Sequence, residues 1–183
     1  MMKKIKLFAI AILGTLSLIS CNGDDEFYNA AYVSVPDLIT IDTPDTYTVG
    51  DNVSFHTDFS RYLQEDGFTE LLDIYRTSQA ESFEFAYRIE KETSPDVWTS
   101  VFNNEDEYSV AVAVYQPGTM TYKCDVSTLL NSTGNYRLGF GESYTGTAST
   151  DIISNNPENE TSVRITTNAN NTDSEGYYHF TVN

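Results

Sequence analysis

The side chains in this chain that could carry chemistry are two histidines, two cysteines and 27 acidic residues. His56 and His179 both fall out of phase with the inward residues of their segments, so both are expected to face solvent. No His/Cys/Asp cluster has zinc-ligand spacing, and no HExxH, nucleophile elbow or phosphate loop occurs. Gly139-Phe140-Gly141-Glu142-Ser143 ends a strand and does not have the G-x-S-x-G form. A pair of carboxylates joined only in space would leave no trace in sequence, so a small carboxylate-dependent glycan hydrolase is the alternative reading. Acids this abundant mostly make a solvated face, and the expectation is a chain that is not an enzyme.

Two oxygen-rich stretches could hold calcium, which takes six to eight oxygen ligands. Asn103, Glu105 and Asp106 belong to one, and Asn170 and Asp173 to the other. Neither has the spaced ligands and terminal glutamate of a dedicated calcium loop. Asn and Asp are also good turn formers, and the turn reading is favoured. Aromatic residues are the other resource: 13 tyrosines, 10 phenylalanines and one tryptophan. Strand alternation sends many of them inward but leaves Tyr75, Trp98, Tyr115, Tyr144 and Tyr177 as candidates for an exposed binding face. Such rings beside Asn and Asp suit sugar stacking or protein contact.

Cys124 is expected in the core, because Met120, Tyr122, Cys124 and Val126 share one face of an alternating segment. Cys21 belongs to a different context. Lys3, Lys4 and Lys6 precede an apolar run from Leu7 to Ile19, the pattern of a secretory signal and too short to cross a bilayer. Leu18-Ile19-Ser20-Cys21 resembles a bacterial lipobox, which implies lipidation of Cys21 and cleavage before it. Asn22-Gly23-Asp24-Asp25-Glu26 resembles the acidic stretch of surface-exposed lipoproteins of the Bacteroidota, which implies an outer-membrane anchor with the folded part facing the medium. The organisation expected is a signal peptide over 1–20, an acidic tether over 21–30 and one domain over 31–183.

Losing the three signal lysines leaves 7 basic residues against 27 acidic ones, a net charge near −20. Phosphate backbones need Lys and Arg contacts, so nucleic acid is excluded as a partner class. With Cys21 lipidated no disulfide can form within the mature chain, and stability must come from the core.

The elements that must position these residues read as strands. Ser82 to Lys91 alternates Phe83, Phe85, Tyr87 and Ile89 with polar residues, one side buried and one wet. Thr161 to Thr167 puts Val163 and Ile165 inward, and Gly176 to Asn183 does the same with Tyr178, Phe180 and Val182. Ser94-Pro95-Asp96 turns the chain into a strand with Trp98. Tyr108 to Tyr115 is continuously apolar, which predicts a strand covered on both faces. Phe59 to Asp66 is expected to form a short helical turn, Glu70 to Thr77 a strand, and Glu142 to Glu160 a long polar loop.

Tyr47-Thr48-Val49-Gly50-Asp51-Asn52-Val53-Ser54-Phe55 resembles the opening of immunoglobulin-like bacterial modules. Asp125 to Leu130 followed by Gly134-Asn135-Tyr136-Arg137-Leu138-Gly139-Phe140 is similar to a crossing found in immunoglobulin-like sandwiches. Asp173 to Phe180 resembles the entry to the strand that carries their tyrosine corner. The resemblance implies an all-β, immunoglobulin-like antiparallel β-sandwich of about nine strands. The function expected is a non-catalytic binding module, or an accessory subunit of an envelope complex, with a glycan or an outer-membrane protein as partner.

Overall fold

The computed structural model describes residues 29–64, 67–102, 108–141 and 148–183. In chain order the elements are β1 (Asn29–Ser34), β2 (Ile39–Asp42), β3 (Asn52–Ser60), β4 (Tyr62–Gln64), β5 (Leu71–Asp73), α1 (Ile74–Ser78), β6 (Ser82–Ser94), β7 (Val97–Ser100), β8 (Ser109–Gln116), β9 (Thr121–Leu129), β10 (Gly134–Phe140), β11 (Thr150–Asn155), β12 (Thr161–Thr167) and β13 (Tyr177–Val182). One layer runs β2-β3-β9-β8 and the other β7-β6-β10-β13. Just before β3, Tyr47 bridges in parallel to Val182 of β13, so the segment leading into β3 touches both layers. This is the pairing order of an immunoglobulin-like sandwich.

β6 is the hinge of the arrangement. Its first half pairs with β8 and β11, and its second half with β7 and β10. The two layers are thereby joined into one curled sheet. β11, β12 and β1 form a wing carried by the start of β6, and only the β1–β12 pair within it is parallel. The core follows from the alternation. Phe55 of β3 lies 5.0 Å from Tyr87, 5.2 Å from Phe140 and 6.1 Å from Phe85, ring centre to ring centre. Phe59, Phe83 and Tyr122 make a second aromatic group. Tyr122 is fully buried, and its hydroxyl donates to the Ala80 carbonyl at 2.8 Å, which satisfies the one polar atom that burial would penalise.

Strand sense fixes the two ends of the molecule. β1 runs with β12, and β12 and β6 each run against β11, so β1 and β6 point the same way. Asn29 pairs with Thr161, and Asn155 with Ser82, so β1 starts at the end where β6 begins. Glu92 lies toward the other end, about 33 Å from Ser82 measured along the strand at roughly 3.3 Å per residue.

Several expectations need correction. The described residues hold thirteen strands where about nine were expected, because β2 and β4 carry four and three residues, too few to show a period, and β11 lies in a segment expected as a loop. Phe59 to Gln64 contains the end of β3 and all of β4, with no helical turn. Glu70 to Thr77 is not one strand: Asp73 ends β5 and caps α1, its carboxylate accepting from the Arg76 N–H at 3.0 Å, a strong helix-start signal. β8 is covered on one face only, with Val110, Val112 and Val114 exposed by 61%, 41% and 47%. Met120 lies in a turn at φ 58° and is exposed, so it does not share the Cys124 face. The segment expected as a long loop contains β11, whose Ile152 is fully buried.

The tyrosine corner also moves. Tyr136 makes it, donating from its hydroxyl to the Ser132 carbonyl at 2.8 Å. The hydroxyl-to-upstream-backbone bond that defines the corner therefore sits at the start of β10 and not in the 173–180 segment.

Candidate functional site

Alternation gives the outer face of the β7-β6-β10-β13 layer its residues. With Tyr87 and Ile89 inward, β6 presents Arg88, Glu90 and Glu92 outward. The registers then align Trp98 with Glu92, and Arg137 with both Glu90 and His179. Asn135 pairs with Thr181 on the same face. The result is a row of alternating rings and guanidinium groups. Arg88 lies 5.1 Å from the centres of both Tyr108 and Tyr177. Arg137 lies 4.1 Å from Tyr177 and 4.6 Å from Trp98, within the range of cation–π attraction.

Gly139 makes the row fit. The Tyr177 ring crosses over it, and a Cβ there would stand 2.7 Å from Tyr177 Cε1, so no larger residue is compatible with this ring position. Glu90 lies between the two arginines, its Oε2 2.6 Å from Arg137 Nε and 3.6 Å from Arg88 Nε. These three side chains are only 12–18% exposed, so the ion group is shielded from salt more than a surface pair would be.

Next to the row is a shallow groove of about 280 Å³ that includes Glu92, Trp98, Asn135, His179 and Thr181. Its rim is a hydrogen-bonded chain. Thr181 donates to Asn135 Oδ1 at 3.0 Å, and Asn135 donates to Glu92 Oε2 at 2.8 Å. The Asn135 bond and the Asp96 backbone N–H hold the Glu92 carboxyl below its usual range. Among the described residues Glu92 is the only carboxylate lining the groove. His179 sets its ring 5.7 Å from Trp98 at 72° and meets Asp173 Oδ2 at 3.1 Å. The groove thus offers one aromatic surface beside an amide, a hydroxyl, an imidazole and an ionised carboxylate.

Of the aromatic residues singled out from sequence, the structure brings Trp98 and Tyr177 together here. Tyr75 and Tyr115 stack on each other elsewhere, 4.4 Å apart at 22°. Tyr115 is 9% exposed and belongs to the core, so it is not part of an open face. The strand that carries it faces inward at that position, whereas a continuously apolar run hides the phase. Tyr144 lies outside the described residues, as do Asn103, Glu105, Asp106, Cys21 and the 22–26 stretch.

The remaining oxygens proposed for calcium have other work. Asn170 Oδ1 accepts from the Ile41 N–H at 2.7 Å. Asp173 Oδ1 accepts from the N–H groups of Glu175 and Tyr177 at 2.8 and 3.0 Å. Both fasten turns, and among the described residues no group of three or more His, Cys, Asp or Glu side chains could hold a metal. Cys124 is buried, and burial pushes its thiol up, which disfavours the reactive thiolate.

Sequence reasoning did not find Arg88, Glu90, Arg137 or Asn135. Alternation alone places them outward, but only the cross-strand registers set Arg137 between Trp98 and Tyr177. No family model, curated protein or solved structure matches this chain.

Proposed function

We propose that this chain is a lipid-anchored, non-catalytic binding module of the outer-membrane surface, and that the groove beside Trp98 recognises a neutral glycan. The observation that carries the reading is the pairing of the Trp98 ring with the Thr181–Asn135–Glu92 hydrogen-bonded rim. An indole face takes the apolar side of a sugar ring, and a few placed polar groups fix its hydroxyls. The arginine behind the ring holds it in place before ligand arrives, which lowers the ordering cost of binding.

Two further observations support it. The Asn135 and Asp96 hydrogen bonds hold the Glu92 carboxyl below its usual range, which suits an acceptor for sugar hydroxyls. Lipid on Cys21 would leave a tether of about 27 Å at most before Asn29, at roughly 3.4 Å per residue. The anchor would join at the end where β6 begins, and the groove lies toward the other end, open to large ligands in the medium. The test is a glycan array probed with the mature chain, repeated with Trp98→Ala and Asn135→Ala. The reading expects discrete neutral glycans to be bound and both variants to lose them.

A further inference from the structure

We infer that the cavity between the layers at Lys91 is a second binding site, for an organic anion with an apolar body. Along the inward face of β6, Phe83, Phe85, Tyr87 and Ile89 are followed by Lys91, where the alternation would place one more apolar residue. The lysine is held in place and not left free. Its ammonium donates to Ser132 Oγ at 2.8 Å and lies 5.6 Å from the centre of the Tyr136 ring. Gly134, at φ 140°, leaves room for its stem, since a Cβ there would come within 2.9 Å of Lys91 Cε. Among the described residues Lys91 forms no ion pair, in a chain with 27 acidic side chains.

Beside this cation opens a cavity of about 510 Å³, with Val101, Phe102, Leu129, Leu130 and Tyr136 in its walls. That volume is in the range of small-molecule sites, which are mostly apolar with a few placed polar groups. A neutral apolar guest would fill the walls and leave the ammonium without a counter-charge. A guest carrying a carboxylate, sulfonate or phosphate head would satisfy both, since hydrogen bonds to ionised partners are the stronger ones. The site opens from the Lys91 side of β6, shares only Tyr136 with the Trp98 groove, and does not depend on the glycan reading.

The test compares two probes with the same aryl skeleton, 1-anilinonaphthalene-8-sulfonate and neutral N-phenyl-1-naphthylamine, by fluorescence titration of the mature chain carrying Cys21→Ser. The sulfonate should bind saturably at one site. Lys91→Met should weaken it by about tenfold or more, the worth of a charge-assisted hydrogen bond, and leave the neutral probe unchanged. Leu129→Gln, at an exposed wall position, should weaken both probes alike. Absence of saturable sulfonate binding, or equal affinity of both probes in wild type and Lys91→Met, would overturn the proposal.

Discussion

At Glu90 one carboxylate serves two guanidinium groups, and the outer face depends on it. Replacing it with alanine leaves Arg88 and Arg137 facing each other across the gap without a counter-charge. Breaking one partner out of a shielded ion group costs more than a surface pair is worth. Glu90→Ala should therefore destabilise the fold by about 2–3 kcal/mol in urea denaturation, and a loss below about 0.5 kcal/mol would mean that the stacked rings alone hold the arginines.

Asp73 gives a pH-dependent counterpart. Burial alone would raise its carboxyl, but the Arg61 guanidinium and the Arg76 N–H outweigh that and hold it below the usual carboxylate range. A depressed carboxylate contributes stability above its unfolded value and loses it as pH falls through the folded one. Asp73→Asn keeps an N-cap side chain and removes the charge. It should cost about 1 kcal/mol at pH 7, and the gap from wild type should close below about pH 4. A gap constant with pH would show that the charge is not what Asp73 contributes.

At the scale of elements, legibility tracked alternation. β6, β12 and β13 have one wet and one buried face, and their inward residues follow from period two alone. β8 did not, because Val110, Val112 and Val114 face solvent and erase the contrast that marks phase. α1 was hidden because five residues are too few for a helical period, and its start depends on one cap at Asp73. The candidate face was half legible. Trp98 and Tyr177 were visible as ring types, whereas Arg137 needed the registers that place it between them.

The corner tyrosine shows the same limit, since Tyr136 and Tyr178 both open or follow a turn into a core strand. Of these two it is Tyr136 that reaches back to an upstream carbonyl. Tyr136→Phe keeps the ring packing against Phe180 and removes that bond, leaving a part-buried carbonyl without its donor. The variant should lose about 1–2 kcal/mol, read from the urea midpoint with an unchanged m-value. An unaltered midpoint would mean that water replaces the hydroxyl.

For the whole molecule, β1 starts at the end where β6 begins and the groove lies toward the other end, so the proposed anchor would join the domain away from the groove. The acidic surface keeps such a domain soluble and, in the proposed setting, apart from anionic lipid. On the proposed reading, binding would depend on the lipid at Cys21 for location only. Cys21→Ala should move the protein from the membrane fraction to the soluble fraction, with the groove's ligand affinity unchanged. Retention in the membrane would show that another part of the chain holds it there.

The central claim is that Trp98 and its polar rim form a ligand site, and the single tryptophan makes this directly measurable. The measurement is a titration of Trp98 emission in the mature chain with the neutral oligosaccharides that score on the array. The account predicts a saturable change in emission, and a loss of affinity of about tenfold or more in Asn135→Ala, whose amide is the middle of the rim. A fixed emission spectrum under binding, or binding unchanged by Asn135→Ala, would place the ligand elsewhere and contradict the account.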